Sequence, residues 1–187
     1  GRGPRASVNL DDATLDAVVQ IRTPLLTDVV VAATHLGGAV ATTAVAVVAA
    51  LALLRASRPV DAMFVGGAML TVWPVMTLLK NVVGRPRPPM PERLLDLQTL
   101  SFPSGHAMTT AALATVLAVV AWRTWPPGDR RRAVAVSVAA GYTIAVGLSR
   151  VYLAAHWLTD VLVGWGLGVL WALLWVRSVT SPRAPFW

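Results

Sequence analysis

Five apolar runs, at residues 39–54, 60–79, 107–125, 133–152 and 157–176, each come close to the roughly 20 residues that a helix needs to cross a bilayer. Hydrocarbon offers no water to backbone NH and C=O groups, so each crossing segment must satisfy its own hydrogen bonds. The expected fold is therefore all-α, a polytopic transmembrane helix bundle of about five spans. Composition agrees. With 56% hydrophobic residues, 13% charged, a mean hydropathy of +0.63 and eight Trp in 187 residues, the chain carries more apolar surface than one small soluble core hides. The net charge of +7 is almost wholly arginine, Lys80 being the sole lysine. In a membrane chain such a balance points to orientation and anionic lipid, not to nucleic acid. The absence of cysteine excludes disulfides, a thiolate metal site and a thiol nucleophile.

Ahead of the spans, residues 1–9 show no periodicity. Residues 10–21 place Leu10, Leu15, Val18 and Val19 against Asp11, Asp12 and Asp16, the pattern of an interfacial amphipathic helix. Thr23-Pro24 then caps a second helix that runs to His35 and ends at Gly37-Gly38. Its dozen residues are too few to span, so it is expected to lie along the membrane surface. The chain divides as one domain into an interfacial lead-in at 1–37, a bundle at 38–177 and a tail at 178–187. No initiator Met or signal peptide opens it, and a further span upstream would make six.

The connections alternate in character. Residues 55–59 and 123–132 are tight arginine-rich turns, whereas residues 81–102 are long, proline-rich and amphipathic around Leu94, Leu95, Asp96 and Leu97. Trp122, Trp125, Trp157 and Trp175 fall near span ends, where an aromatic belt would sit. Lys80 closes the second span, His106 opens the third, Arg150 closes the fourth and His156 opens the fifth. A chain that crosses once per span brings all four to one face and the two arginine turns to the other.

The segment 149–160 interrupts this apolar chain with Ser149, Arg150, His156 and Asp160. Ionisable groups at the edge of a membrane are costly to keep and mark candidate functional sites. On a helix, His156 and Asp160 would share a face, the carboxylate holding one imidazole NH and leaving the other nitrogen as a nucleophile. Arg150 adds a planar cation suited to phosphate oxygens. A His and an Asp four apart are, by themselves, more often structural. Two further blocks bear on the choice, although Arg85 and Arg87 alone fit a solvated charge run equally well and a lone Ser-Gly-His is common in turns. Prolines 86 and 88 stiffen the stretch that carries Arg85 and Arg87. Pro103-Ser104-Gly105-His106 precedes an apolar helix, with Ser104 as N-cap and free NH groups facing an anion beside His106.

Lys80-x6-Arg87-Pro88, Pro103-Ser104-Gly105-His106 and Ser149-Arg150-x5-His156-x3-Asp160 resemble the three-part signature of the type-2 phosphatidic acid phosphatase (lipid phosphate phosphatase) superfamily, which also contains the vanadium haloperoxidases. The resemblance covers about residues 60–168. Small bacterial members usually have six spans, one ahead of the interfacial segment, and this chain departs there. The resemblance implies that Lys80, Arg87 and Arg150, with NH groups near Ser104 and Gly105, bind the phosphate oxygens. It implies that His156 attacks phosphorus, Asp160 orients it, and His106 protonates the leaving oxygen and then activates water. Arg85 lies outside the signature and reads as a loop cation or a lipid headgroup contact. Asp61 reads as a helix-start residue on the opposite face, and Gly164 and Gly168 as close helix packing beneath the site.

The expected protein is thus a metal-independent membrane phosphatase without a cofactor. It would remove a terminal phosphate from a lipid phosphate or diphosphate: polyprenyl diphosphate, phosphatidic acid or phosphatidylglycerol phosphate. A vanadate-dependent oxidase and a non-catalytic lipid-phosphate carrier are the alternatives. The first is disfavoured by its larger soluble scaffolds, the second by the intact His106, His156 and Asp160 set. The sequence leaves the oligomeric state open. Arg55, Arg58, Arg123, Arg130, Arg131, Arg132, Arg177 and Arg183 share one face, and the opposite lead-in is acidic through Asp11, Asp12, Asp16 and Asp28. The positive-inside rule then sets the site on the extracytoplasmic side of the plasma membrane.

Overall fold

The computed structural model describes residues 9–180, which contain helices, turns and loops and no strand. Seven helices run in order: α1 Leu10–Gln20, α2 Pro24–His35, α3 Ala39–Arg55, α4 Pro59–Val83, α5 Gly105–Thr124, α6 Arg130–Tyr152 and α7 Leu158–Thr180. The five runs read from the sequence correspond to α3 through α7. Of these, α4 to α7 are each long and apolar enough to cross a membrane. Arg183 and the rest of the tail beyond residue 180 lie outside the described residues.

The helix starts follow from local chemistry. Asn9 and Thr23 accept from the NH groups of Asp12 and Leu26, and Asp129 accepts from that of Arg131, each satisfying a donor that a first turn leaves orphaned. Pro24 and Pro59 occupy first-turn positions, where a missing NH costs nothing. At the far end of α4, Gly84 takes φ 66°, the left-handed conformation that stops a helix and that a residue with a Cβ pays to adopt.

Helix α5 is the most enclosed element and forms the axis of the bundle, packed by α4, α6 and α7. In lipid no hydrophobic force drives helices together, so association depends on close approach through small residues. Gly164 of α7 lies against Ser104 and Ala107. A Cβ at Gly168 would run into the carbonyl oxygen of Met108 and come within 2.9 Å of the Ala111 Cβ. The expectation of close packing beneath the site is met. Two further glycines receive tryptophans: Trp175 covers Gly67 and Trp165 covers Gly147. The Trp175 indole NH donates to Thr71 Oγ1 at 2.8 Å, and the partly buried ring packs against the core.

The path of α2 differs from expectation. Thr27 Oγ1 lies 3.0 Å from the hydroxyl of Tyr152, while the Leu36 carbonyl accepts from the hydroxyl of Tyr142 at 2.7 Å. Ten residues of α6, about 15 Å at helical rise, separate those two tyrosines. The nine steps from Thr27 to the C-cap Leu36 cover nearly the same length, so α2 descends along α6 instead of lying across the surface. It continues into α3 through a bend of 45°, and the pair together meets the length and hydropathy of one broken span. Its shortness, which excludes a span by itself, is made good by the next helix. Helix α1 packs at the site end of the bundle, against α6 and α7.

At the end away from the site, Asp61 is buried and accepts from Arg58 Nε at 2.7 Å and Arg123 Nε at 2.6 Å. Arg58 also donates to Thr124 at 2.6 Å. Two arginine turns distant in sequence are thereby clamped on one face.

Candidate phosphate-transfer site

At the other end, the C-terminus of α4, the 84–104 loop, the N-terminus of α5, the C-terminus of α6 and the turn into α7 converge. Lys80 Nζ donates to the carbonyls of Leu100 at 2.8 Å and Pro103 at 2.9 Å, with a longer contact to Ser101. One ammonium thus folds the end of the long loop onto the start of α5. The loop's other attachments are apolar. Leu95 and Leu97 pack on Tyr152, Leu153 and Ala155, and the Leu94 NH donates to the Leu153 carbonyl at 3.1 Å.

His156 is 3% exposed. It lies in the turn between α6 and α7 while Asp160 is in the first turn of α7, so the two are not stacked on one helix as their spacing suggests. The turn is held by the Arg150 carbonyl, which accepts from the NH groups of Ala155 and His156. Arg87 NH1 donates to the Ala155 carbonyl and lies 3.1 Å from His156 Nε2. A guanidinium has no acceptor, so Nε2 offers its lone pair and the ring proton sits on Nδ1, toward Asp160. Nδ1 stands 3.6 Å from Asp160 Oδ2 and has no hydrogen-bond partner. Burial pushes the His156 imidazole below its ordinary range, outweighing the pull of Asp160, and the charges of Arg87, Arg150 and Lys80 act in the same direction. The ring is neutral near pH 7.

Arg150, 3% exposed at the end of α6, donates through NH1 to Thr34 of α2 at 2.9 Å, and its Nε is buried without a partner. His106, half-buried at the start of α5, is within electrostatic reach of Arg150, His156 and Arg87. Gly105, ahead of it, begins the helix where NH groups have no preceding turn to accept them. Ser104 is the N-cap expected, but its own NH is engaged. It is fully buried, its NH donates to the Asp160 carbonyl at 3.1 Å, and its hydroxyl accepts from Ala107. It therefore ties α5 to α7 and does not offer a free NH.

Four residues of the site were not identified from the sequence. Arg85 is neither a free loop cation nor a headgroup contact: NH1 donates to Asp160 Oδ1 at 2.6 Å and to Thr159 at 2.7 Å, and NH2 to Asp11 at 2.6 Å. Ser101 donates its hydroxyl to Asp160 Oδ2, and the Trp157 NH donates to the same oxygen at 3.1 Å. Asp11 accepts from the NH and hydroxyl of Thr159 at 2.9 and 2.6 Å. Burial raises the Asp11 pKa, but the hydrogen bonds from Thr159 and Arg85 outweigh it and leave the carboxyl below its usual range. Among the described residues no group of three or more His, Cys, Asp or Glu is arranged to hold a metal ion.

The PAP2 superfamily profile matches residues 61–183. Phosphatidylglycerophosphatase B of Bacillus subtilis is 33% identical over 164 residues, which cover 86% of this chain and 78% of that protein. A decaprenylphosphoryl-5-phosphoribose phosphatase of Mycobacterium tuberculosis is 30% identical over 126 residues, 66% of this chain and 63% of that one. The crystal structure of a transmembrane PAP2 type phosphatidylglycerolphosphate phosphatase from Bacillus subtilis superposes with a TM-score of 0.82 at 30% identity, covering 94% of this chain and 87% of that chain.

Proposed function

Because the chain belongs to the PAP2 superfamily, we propose that this multi-span membrane protein removes the terminal phosphate of a lipid phosphate or diphosphate through a phosphohistidine intermediate. One observation carries the mechanism: the lone pair of a neutral, buried His156 Nε2 points at the half-buried Arg87, within electrostatic reach of the buried guanidinium of Arg150, whose Nε is unspent. A phosphoryl group is the ligand that needs both a nucleophile and planar cations at one place.

In this reading Arg87 and Arg150 take the non-bridging oxygens, with the Gly105 NH at the helix start and the Lys80 charge beside them. His156 Nε2 attacks phosphorus as the bond to the leaving oxygen breaks, and His106 gives that oxygen a proton. Asp160 offsets the charge that develops on the imidazolium. His106, now neutral, takes a proton from water as the water oxygen attacks phosphorus. The P–N bond then breaks, releasing inorganic phosphate and restoring His156. Three cations supply the charge stabilisation that a divalent ion gives elsewhere, and the one carboxylate at the centre is already held, so the reaction is metal-independent.

The relatives' names, a phosphatidylglycerophosphatase and a decaprenylphosphoryl-phosphoribose phosphatase, support a lipid-linked phosphate. The site's place at the membrane edge supports the same conclusion. Arg58 and Arg123 meet on Asp61 at the opposite end, and short basic turns there favour a cytoplasmic setting. The site would then face the extracytoplasmic side of the plasma membrane and an outer-leaflet substrate.

The direct experiment is phosphate release from phosphatidylglycerol phosphate, phosphatidic acid and polyprenyl diphosphate by purified protein in detergent, with vanadate and EDTA arms and bromide oxidation assayed alongside. Release that vanadate inhibits and EDTA leaves intact is expected. Bromide oxidation without phosphate release would overturn the reading, and activity lost in EDTA and regained only with a divalent ion would overturn metal independence.

A further inference from the structure

Asp160 has two carboxylate oxygens, and both are engaged by groups other than His156. Oδ1 accepts from Arg85, and Oδ2 accepts from the Ser101 hydroxyl and the Trp157 NH. The rotation of this carboxylate, and so the oxygen it turns toward His156 Nδ1, is decided by those partners. Ser101 and Trp157 sit beside it in the fold, but Arg85 comes from a loop without regular structure. Such a side chain needs an anchor of its own.

That anchor is Asp11. The second arm of Arg85 pairs with Asp11 Oδ2 at 2.6 Å, its first arm also reaches the Thr159 hydroxyl, and the Trp157 ring lies 5.4 Å beneath it. Asp11 is 8% exposed and belongs to α1. A purely structural role, capping α7, accounts for the bond from the Thr159 NH to Oδ1, since an uncharged side chain can do the same. It does not account for the ion pair at Oδ2. With Asp11 in place, Arg85 is shared between two carboxylates, and Asp160 keeps more of its negative charge for the imidazolium.

We infer that Asp11 is a positioning residue: through Arg85 it fixes the orientation and charge of Asp160 toward His156, which makes the interfacial helix α1 a working part of the catalytic apparatus. This rests on the reading of His156 as nucleophile and Asp160 as its support. The other charged or titratable groups facing the pair are Lys80 of α4, Arg87 of the loop, His106 of α5 and Arg150 of α6.

The experiment measures single-turnover phosphorylation, KM and the pH profile of kcat in the full-length protein. The variants are Asp11→Asn, Arg85→Gln, the double variant and the exposed neighbour Asp12→Asn. Asp11→Asn keeps an acceptor for Thr159 and loses the charge. It is expected to slow phosphorylation roughly 10- to 100-fold at unchanged KM, the scale typical of a partner one step from the reacting group. Asp12→Asn should match wild type. The double variant should be no slower than Arg85→Gln, because both act through one contact. The acid limb of kcat should move to lower pH in Asp11→Asn, which removes a negative charge, and to higher pH in Arg85→Gln, which removes a positive one. If Asp11→Asn fails to fold, Arg85→Lys carries the test: it keeps the charge but not the fork, and should also slow phosphorylation. A wild-type rate in folded Asp11→Asn or in Arg85→Lys, multiplicative losses in the double variant, or limbs that move the same way would overturn the inference. If His156→Ala is inactive and Asp11→Asn is wild type, this inference alone falls. If His156→Ala is active, the underlying reading falls with it.

Discussion

Nδ1 of His156 stands 3.6 Å from Oδ2 of Asp160 and has no hydrogen bond, although both groups are buried. A buried ring nitrogen without a partner is costly, on the order of 1–3 kcal/mol. The contact can shorten once the ring becomes cationic. A dyad that tightens as charge develops stabilises the transition state more than the resting site, which is what raises a rate.

His156→Ala should abolish turnover, and His106→Ala should lower it by about 10²–10⁴-fold, with helix content unchanged in both. Rapid quench with labelled substrate should trap phosphate on the wild-type protein and none on His156→Ala. In His106→Ala the trapped species should persist longer, because the group that activates water is missing. Full activity in His156→Ala would show that another group attacks.

Acidification should weaken the fold through His156. Its pKa is depressed in the folded state by burial, while the unfolded chain returns it to about 6.5. Below that value the unfolded state binds a proton that the folded state refuses. The stability gained from a neutral ring is thus fully present above about pH 6.5 and lost as pH falls toward the folded pKa. Thermal melts in detergent should show a falling midpoint on the acid side, with a shallower slope in His156→Asn. An unchanged slope in that variant would place the sensitivity elsewhere.

Gly168→Ala should destabilise the bundle by about 1–3 kcal/mol, since its Cβ would meet the Met108 carbonyl and Ala111 where α5 and α7 touch. Gly166→Ala, on the same helix with nothing within 4 Å, should be tolerated. Equal melting of the two variants would contradict close α5–α7 packing.

The orientation can be read with single cysteines, because the chain has none of its own. Gln98→Cys in the site-face loop should react with an impermeant thiol reagent on intact cells, and Gly128→Cys in the α5–α6 turn should not. Labelling of Gly128→Cys alone would reverse the topology.

By itself the sequence determined the bundle and the sidedness of its polar residues. Apolar run length reports whether a helix can cross, and span alternation carries Lys80, His106, Arg150 and His156 to one face whatever the packing. Gly164 and Gly168 were legible for the same reason, since a four-residue step is a property of the helix they share. Only the tertiary structure decided where each donor is spent. Ser104 lost its NH to Asp160, Lys80 spent its protons on the loop's carbonyls, and α2 turned inward because Tyr152 and Tyr142 hold its two ends. Arg85 and Asp11 lie outside any periodic element or motif that ties them to Asp160, and 149 positions separate Asp11 from that carboxylate. Periodicity describes a segment's relation to itself. An ion pair between a loop and an interfacial helix arises only when the packed bundle brings them within 2.6 Å.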